Sequence, residues 1–252
     1  MTDTPARWRA RLEPLAIFAA LFLLWELAVR WFALPSWLLP APSEILATAR
    51  DWAPELAANA LVTLRETVTG FALAVAISVP LAVLIAFTRV LRRVLYPILL
   101  GLQSVPKVAL APLVTLWLGV GEAPKVVIVV LVCFFPVLVN MIAGLEAAPR
   151  NMVDLMRSVE ASRWQVFRRL RLPFALPHIF TGCKVAVTFA VIGSVIAEFV
   201  AAQSGLGYLI LMSTSQSLTP LAFAAILLLT LMSVLLFYLI EWAERRAVTW
   251  HM

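Results

Sequence analysis

Charged residues are scarce in this sequence. Asp, Glu, Lys and Arg together make up 13% of the 252 residues, about half the roughly 25% of a typical soluble domain. Hydrophobic residues make up 63%, and the mean hydropathy is +0.96. A single soluble core of this size cannot enclose so much apolar surface. The composition therefore excludes a soluble globular protein and indicates a polytopic membrane protein.

Cysteine and histidine are also scarce, and the common catalytic motifs are missing. Cys133 and Cys183 both lie in apolar surroundings, so no disulfide framework is indicated, and His178 and His251 are isolated. The sequence has no G-x-x-x-x-G-K-[ST] loop for nucleotide phosphates, and no H-E-x-x-H, C-x-x-C or G-x-S-x-G motif. We therefore expect no catalytic residues, no metal and no cofactor. The energy for any transport must come from an ion gradient or from a partner.

Six apolar runs approach or exceed the length of about 20 residues that crosses the hydrocarbon core of a bilayer. Three of them carry no charge, and the others contain Glu26, Lys107 or Lys184. The predicted spans are Pro14–Val29, Thr67–Thr88, Val94–Gly121, Val126–Leu145, Phe174–Ala197 and Thr219–Ile240. Residues 200–220 are also uncharged but rich in Gly, Ser, Thr and Gln, so we interpret them as a connector rather than a seventh span.

The positions of the 20 basic residues orient the chain in the membrane. They lie between apolar runs rather than along one stripe, which argues against a nucleic-acid partner. With the N-terminus inside, fourteen lie on the cytoplasmic side and four, including Lys125, on the outer side, the bias typical of membrane proteins. We therefore predict an all-α fold of six transmembrane helices with both termini cytoplasmic.

These spans divide the chain into three predicted regions. Residues 1–57 hold the first span and an outer connection, residues 58–242 form the core domain, and residues 243–252 form a cytoplasmic tail. Arg65 and Glu66, at the start of the second span, are assigned to the membrane interface.

One long cytoplasmic connection, residues 147–172, is predicted to contain two short amphipathic helices. The apolar positions of the first follow the i, i+3, i+4, i+7 spacing of one helix face, at Met152, Leu155, Met156 and Val159. Asn151 can cap this helix. Ser162 and Gln165 have the spacing of a capping box that starts the second helix, and Pro173 is expected to end it.

Two interpretations of this helix pair remain open from the residues alone. Six arginines between residues 150 and 171 can hold it against lipid headgroups. Alternatively, its apolar face inserts into a cleft on a soluble partner.

A resemblance favours the second interpretation. The stretch D-L-M-R-S-V-E-A-S-R-W-Q-V-F-R-R-L-R-L-P-F-A-L-P, residues 154–177, resembles the cytoplasmic coupling loop of binding-protein-dependent ABC transporter permeases. That family's pattern is E-A-A, three residues, G, nine residues, then I-x-L-P. Asp154 stands at the family's Glu, and Leu172 and Pro173 match outright. The stretches S-V-P-K-V-A-L-A-P-L, F-F-P-V and G-L-G-Y-L-I resemble the nitrate, sulfonate and taurine permease branch, and the likeness covers about residues 58–242.

The resemblance implies a permease subunit of an ATP-driven importer in the cell inner membrane, and not an enzyme. The implied partners are an ABC ATPase subunit in two copies, a second permease subunit as a homodimer, a substrate-binding protein and the lipid bilayer. The residues implied to contact the ATPase are Asp154, Leu155, Met156, Glu160, Ala161, Arg163 and Trp164.

Glu160 is a departure from the family pattern, which has Gly at this turn. If the turn keeps a left-handed conformation, a non-Gly residue costs about 1–2 kcal/mol there. Either the turn differs in this chain, or Glu160 gains a basic partner on the ATPase.

Lys107 lies near the middle of the third span, between Pro106 and Pro112. A charge at mid-bilayer costs roughly 2.5–3.5 kcal/mol on insertion scales, and the two prolines free carbonyl groups that can line a cavity. We predict that Lys107 lines a translocation pathway, and packing against those carbonyls is the alternative.

Lys184 and Glu198 lie in the fifth span, within about 40° of one helix face and about 21 Å apart along it. If that face lines the pathway, the two residues mark its inner and outer ends. The alternative is that both extend to water from opposite ends of the helix.

The resemblance suggests two substrate classes. The stretches P-K-V-A-L-A-P, F-F-P and G-C-K-V-A favour permeases for pyrimidine vitamin precursors such as hydroxymethylpyrimidine, or for riboflavin. Nitrate, sulfonate or taurine is the alternative, since a basic pathway residue suits an anion. A gradient-driven carrier is a second alternative, because intramembrane Lys and Glu can relay ions.

Overall fold

The structure, a computed structural model, describes residues 4–249, with side chains for residues 16–249 except 89, 92, 96, 100 and 201. Over this range the chain is helical and has no strand, which confirms the predicted all-α class. The helices are α1 (Thr4–Trp31), α2 (Pro42–Asp51), α3 (Ala53–Phe87), α4 (Arg89–Gln103), α5 (Ala111–Leu118), α6 (Glu122–Glu146), α7 (Arg150–Ser158), α8 (Arg163–Val166), α9 (Leu172–Ala201), α10 (Leu206–Ser215) and α11 (Thr219–Ala247).

Four helical segments of the described chain are long and apolar enough to cross a membrane. They are α3, α6, α11 and the continuous run Arg163–Val200. A fifth is reached if the bent pair of α4 and α5 counts as one span. The predicted first span, Pro14–Val29, lies inside α1. The count of six spans and the cytoplasmic termini stay predictions.

The predicted third span is not a continuous helix. α4 ends at Gln103, a 3-10 turn covers Lys107–Leu110, and the segments on either side are bent by 83°. Pro106 lies at the break because proline lacks the N–H that would continue the helical hydrogen bonds. Lys107 is therefore at the start of the turn and half-buried, beside a helix break of the kind that the two prolines predict.

The predicted connector at residues 200–220 contains a helix, α10. Its hydroxyl-rich end is compatible with a helix because these side chains bond back to helical carbonyls. Thr214 Oγ1 donates to Ile210 O at 2.8 Å, and Ser215 Oγ donates to Met212 O at 2.7 Å. This helix is too short to count among the candidate spans of the described residues, which agrees with a connector rather than a seventh span.

Pro173 does not end the second cytoplasmic helix, contrary to the prediction. A π-helical turn, Phe167–Arg171, joins α8 to α9, and Pro173 lies in the first turn of α9. Proline is tolerated in the first turn of a helix, where its missing N–H costs little. The cytoplasmic helix pair is thereby continuous with a long apolar helix.

The chain forms two compact units. One comprises Met1–Ala57 and Leu209–Leu228, and the other Ala58–Tyr208 and Leu229–Met252. In the described part of the first unit, Glu26 of α1 accepts hydrogen bonds from the backbone N–H and hydroxyl of Ser43, at 3.0 and 2.8 Å. This carboxylate therefore ties α1 to the first turn of α2.

The second unit has its core between α6 and α9. Leu138 and Leu145 of α6 and Ala186 of α9 are fully buried there. The two helices approach closely at Gly144, where an added Cβ would lie 3.1 Å from the Ala175 Cα. This close packing supports α9, and through α9 it supports the helix pair that is continuous with it.

Candidate functional site

The first helix of the pair, α7, begins two residues earlier than predicted. Pro149 is its N-cap residue, and the Pro149 carbonyl accepts from the backbone N–H groups of Met152 and Val153 at 3.1 and 3.2 Å. The predicted capping by Asn151 is wrong: this residue lies inside the helix, and its Oδ1 accepts from the N–H of Met152 at 3.0 Å. Proline suits the start of a helix because its φ is already helical.

The turn between the two helices keeps the left-handed conformation at Glu160. Its φ is +56°. The Glu160 N–H donates to Arg157 O at 2.9 Å, and the Ala161 N–H donates to Met156 O at 3.0 Å. This pair of bonds is the Schellman arrangement, in which the residue after the helix adopts positive φ. The turn does not differ from one built for glycine, so Glu160 carries the conformational cost.

The predicted capping box at the start of α8 is confirmed. Ser162 Oγ accepts from the Gln165 N–H at 3.2 Å, and Gln165 Oε1 accepts from the Ser162 N–H at 2.7 Å. These two reciprocal bonds satisfy N–H groups that the start of a helix leaves without partners.

The helix pair has an inner and an outer apolar side. On the inner side Val153, Val166 and Leu170 are buried together, and Met156 and Ala161 pack against them. The predicted single face is therefore wrong for Met156, which lies at the edge of that face nearest to the buried Val153. Met152 and Leu155 do lie exposed on α7, and Val159 is exposed at its C-cap.

The outer side is strongly exposed. Leu155 is 66%, Val159 69% and Trp164 62% exposed. The Trp164 ring stacks on Phe167 at a centroid distance of 5.4 Å, which fixes its orientation. An ordered apolar surface beside polar and charged residues is typical of an interaction site.

A cavity of about 1030 Å³ lies between the helix pair and the ends of α3 and α6. Its wall includes Glu146, Asp154 and four arginines, at positions 150, 157, 163 and 171. Asp154 and Arg157 also form an exposed ion pair at 3.5 Å, and a pair of that kind contributes little to stability. The charge around the helix pair is thus mostly positive.

The residues predicted to contact an ATPase are brought together on this helix pair. Asp154, Leu155, Glu160, Arg163 and Trp164 are exposed. Met156 and Ala161 instead support the turn from within.

The three residues predicted for a pathway are not brought together. Lys107 lies at the break between α4 and α5, half-buried. Lys184 Nζ forms an ion pair with Glu244 Oε2 of α11 at 2.7 Å, and both side chains are about one-fifth exposed (21% and 20%). Glu198 is fully buried, at 1% exposure.

Glu198 holds the chain segment that enters α10. Its Oε1 accepts from Thr63 Oγ1 at 2.7 Å, and its Oε2 accepts from the Gly207 N–H at 2.5 Å. Thr63 Oγ1 in turn accepts from the Leu206 N–H at 2.8 Å. These bonds satisfy N–H groups at the start of α10, where negative charge is favoured.

An ion pair that the sequence analysis missed lies close to Glu198. Lys125 Nζ is 2.6 Å from Glu66 Oε1, and the two residues are only 6% and 2% exposed. The sequence analysis assigned Glu66 to the membrane interface and Lys125 to the outer side, which stay predictions, and it did not foresee that the two residues are buried against each other. Both residues directly precede an uncharged run, and helices that continue beyond those runs bury them. The sequence did contain a signal for this pair: an acidic residue directly before one predicted span and a basic residue directly before another.

Comparisons with known proteins agree on one family. Residues 78–249 match the family described as binding-protein-dependent transport system inner membrane component. The chain is 35% identical to a formylaminopyrimidine transport permease protein, ThiX, of Halalkalibacterium halodurans, over 95% of this chain and 96% of that one. It is 34% identical to a riboflavin transport system permease protein, RibX, of Chloroflexus aurantiacus, over 91% and 87%.

Two more distant likenesses complete the comparison. A relative from Bacillus subtilis, SsuC, is named for the transport of aliphatic sulfonates and is 27% identical over 95% of this chain and 87% of that one. The fold matches a chain of the MetNI methionine ABC transporter, solved in inward-facing conformations, with a TM-score of 0.62 and 22% identity, covering 74% of this chain and 91% of that chain. The chain therefore belongs to the family of binding-protein-dependent transport system inner membrane components and is an ABC transporter permease.

Proposed function

We propose that this permease forms the membrane path of an ATP-driven importer that takes a small solute from a substrate-binding protein across the cell inner membrane. The family description supports both the binding protein and the inner membrane. ATP hydrolysis belongs to a separate ATPase subunit, because this sequence has no P-loop of its own. A second copy of the permease and two copies of the ATPase complete the assembly.

The observation that carries this proposal is the exposed apolar side of the cytoplasmic helix pair. Leu155, Val159 and Trp164 leave about two-thirds of their surfaces uncovered (66%, 69% and 62%), while the inner side of the pair is packed. An ordered apolar side on a charged, water-facing helix pair is the shape that an apolar groove on a partner accepts. We assign the ATPase as that partner.

The packing of the helix pair explains how a movement of the ATPase reaches the membrane. Phe167, in the π turn, contacts Phe87 at the end of α3 with ring centroids 5.3 Å apart. It also lies in one buried cluster with Ile85, Leu138 and Leu145. A displacement of the pair therefore acts on α3 and α6 as well as on α9. In the proposed cycle, ATP binding closes the ATPase subunits and the pathway opens alternately to each side.

Co-purification from mild detergent tests this assignment. A Leu155→Ser/Val159→Ser chain is expected to lose an ATPase that the unaltered chain recovers in roughly equal amount, because the apolar contact is gone. Ser158→Ala, between the two positions on the same helix, is the matched control and should retain the ATPase. Equal recovery with the double variant would refute docking at this surface.

We propose a pyrimidine vitamin precursor, such as hydroxymethylpyrimidine, as the solute. The relatives named for formylaminopyrimidine and for riboflavin are 35% and 34% identical to this chain, whereas the relative named for aliphatic sulfonates is 27% identical. Nitrate, sulfonate or taurine is the alternative, which that last relative favours.

Uptake by cells of the source organism distinguishes these solutes. Deleting the gene for this chain should abolish uptake of labelled hydroxymethylpyrimidine and leave taurine and nitrate uptake unchanged. The opposite pattern would support the anion alternative. Inhibition by an uncoupler while ATP is maintained would instead indicate a gradient-driven carrier.

Among the three residues predicted for a pathway, we propose Lys107 as a pathway residue. It is half-buried beside a helix break and has no ion-pair partner among the described residues. Lys184 and Glu198 have polar partners that account for their burial. Lys107→Met should lower the maximal uptake rate without reducing recovery of the ATPase, and unchanged uptake would refute the role.

A further inference from the structure

Glu66, Lys125 and Glu198 form a buried group with an excess of acid over base. Their exposures are 2%, 6% and 1%. The Lys125 ammonium binds Glu66 Oε1 at 2.6 Å. Thr63, one helical turn before Glu66 on α3, donates to Glu198 Oε1 at 2.7 Å, which brings the two carboxyl groups to the same level of α3 and α9. Two ionised carboxylates and one ammonium would leave a net negative charge without compensation in an apolar environment, which is strongly unfavourable.

One atom of this group has no partner. Among the residues that the structure describes, nothing donates a hydrogen bond to Glu66 Oε2, although that oxygen is buried. A fully buried carboxylate oxygen normally accepts a hydrogen bond. The excess charge and the unpaired oxygen thus occur at the same place.

We propose that Glu66 and Glu198 together bind one proton, carried on Glu66 Oε2 and donated in a hydrogen bond to the Glu198 carboxylate. The proton comes from the solvent, and binding it leaves one carboxylate opposite one ammonium. Glu66 Oε1 continues to accept from Lys125 as a carbonyl oxygen. The single proton supplies both the missing partner and the missing positive charge.

The Lys125 ammonium favours an ionised Glu66, but of the two carboxyl groups only Glu66 has an oxygen to which no described group donates, so the proton is placed on Glu66 Oε2. Both oxygens of Glu198 already accept hydrogen bonds, from Thr63 Oγ1 at 2.7 Å and from the Gly207 N–H at 2.5 Å. Such bonds, at the start of a helix, favour an ionised carboxylate.

The other elements around the pair bring few further charges. α3 contributes Arg65 and α6 contributes Glu122, and these two residues form their own ion pair at 3.3 Å at an exposed position. α9 contributes the hydroxyl of Ser194, which shares a hydrogen bond of 2.9 Å with Thr67. α10 contributes backbone N–H groups. The buried charge balance therefore depends on Glu66, Lys125 and Glu198.

Infrared spectroscopy of the purified full chain in lipid nanodiscs tests the site directly. A protonated carboxyl has a C=O stretch above the amide I band that shifts down in heavy water, whereas a carboxylate has none there. At neutral pH the unaltered chain should show one such band. Glu66→Gln should abolish it, and Glu122→Gln, the matched control on α6, should keep it.

The experiment also distinguishes a variant that fails to fold from a folded variant that lacks only the proton. Gln at position 66 can accept from Lys125 through Oε1 and donate to Glu198 through Nε2, so the variant should keep its melting temperature. If it fails to fold, carbon-13-labelled glutamate in the unaltered chain identifies the band as that of a Glu side chain. Absence of a protonated-Glu band in the unaltered chain at neutral pH, or a band that survives in Glu66→Gln and disappears in Glu198→Gln, would overturn the proposal.

Discussion

At the scale of single residues, the backbone conformation of Glu160 affects the stability of the turn between α7 and α8. The family pattern has Gly there, and the structure retains φ at +56°. A Cβ in the left-handed region costs about 1–2 kcal/mol. The residue is exposed, so no interaction within a buried core compensates for this cost.

Glu160→Gly is therefore expected to stabilise the turn by about 0.5–1 kcal/mol, the Cβ cost less the greater chain entropy of glycine. Hydrogen exchange of the Ala161 amide, which bonds to Met156 O, should slow by roughly two- to fivefold. Glu160→Ala keeps the Cβ and should show no slowing. If Glu160→Gly stabilises the turn but weakens ATPase recovery, the carboxylate contacts a basic group on the partner.

The ion pair of Lys184 with Glu244 favours a packing role for this charged residue over a pathway role. Lys184→Met leaves Glu244 about four-fifths buried without its ion-pair partner, and we expect thermal unfolding in detergent to show a loss of about 1–3 kcal/mol. The Lys184→Met/Glu244→Gln chain should regain part of that loss and should transport normally. Arg245→Met, which breaks the exposed pair with Glu241, should cost less than about 0.5 kcal/mol.

Transport by the Lys184→Met/Glu244→Gln chain decides between the two roles of Lys184. Restored stability with restored uptake supports a packing role. Restored stability without restored uptake would support a pathway role for Lys184.

At the scale of elements, the two ends of α8 were predicted with different success. Its start depends on two neighbouring side chains, Ser162 and Gln165, whose capping box is confirmed. Its end was assigned to Pro173, yet the chain continues through a π turn into α9. The buried positions of Phe167 and Leu170 depend on contacts with distant segments, which a local stop signal does not include.

The capping box makes a prediction of its own. Ser162→Ala should destabilise the start of α8 by about 0.5–2 kcal/mol, because the Gln165 N–H loses its acceptor. The measurement is hydrogen exchange of the Gln165 amide, which should become faster. Ser162→Asp retains an acceptor oxygen at the N-cap and should stay close to the unaltered chain. Faster exchange in both variants would mean that the hydroxyl acts in another way.

At the scale of the whole molecule, charge asymmetry is the strongest topological information in the sequence. Fourteen basic residues on one predicted side against four on the other indicate both termini inside. Among the residues that the structure describes, four helices are long and apolar enough to cross a membrane, or five with the bent pair, and α1 would bring the larger count to the predicted six.

Reporter fusions measure this topology. A fluorescent protein fused after residue 252 should fluoresce, and alkaline phosphatase at the same place should be inactive, because the positive-inside rule places this end in the cytoplasm. Phosphatase inserted in the connection after α1, near residue 36, should be active. An active C-terminal phosphatase would contradict the six-span arrangement and favour an odd number of crossings.

The candidate site was predictable only where its signal is local. The docking positions on α7 and α8 follow from periodicity and from a motif of contiguous residues, and the structure exposes Leu155 and Trp164 as an outer surface. Met156 faces inward, because it packs against a cluster that includes Val166 and Leu170, which lie beyond α7.

The sequence by itself determined the membrane class, the helical fold and the pair of short helices α7 and α8, because hydropathy, helical periodicity and capping act over a few residues. Only the tertiary structure decided the partners of the intramembrane charges. Glu66 and Lys125 are 59 residues apart in the chain, and Thr63 and Glu198 are 135 apart. Close packing of helices brings such groups together, and desolvation then requires each buried charge to have a partner. Neither condition can be evaluated from neighbouring residues alone.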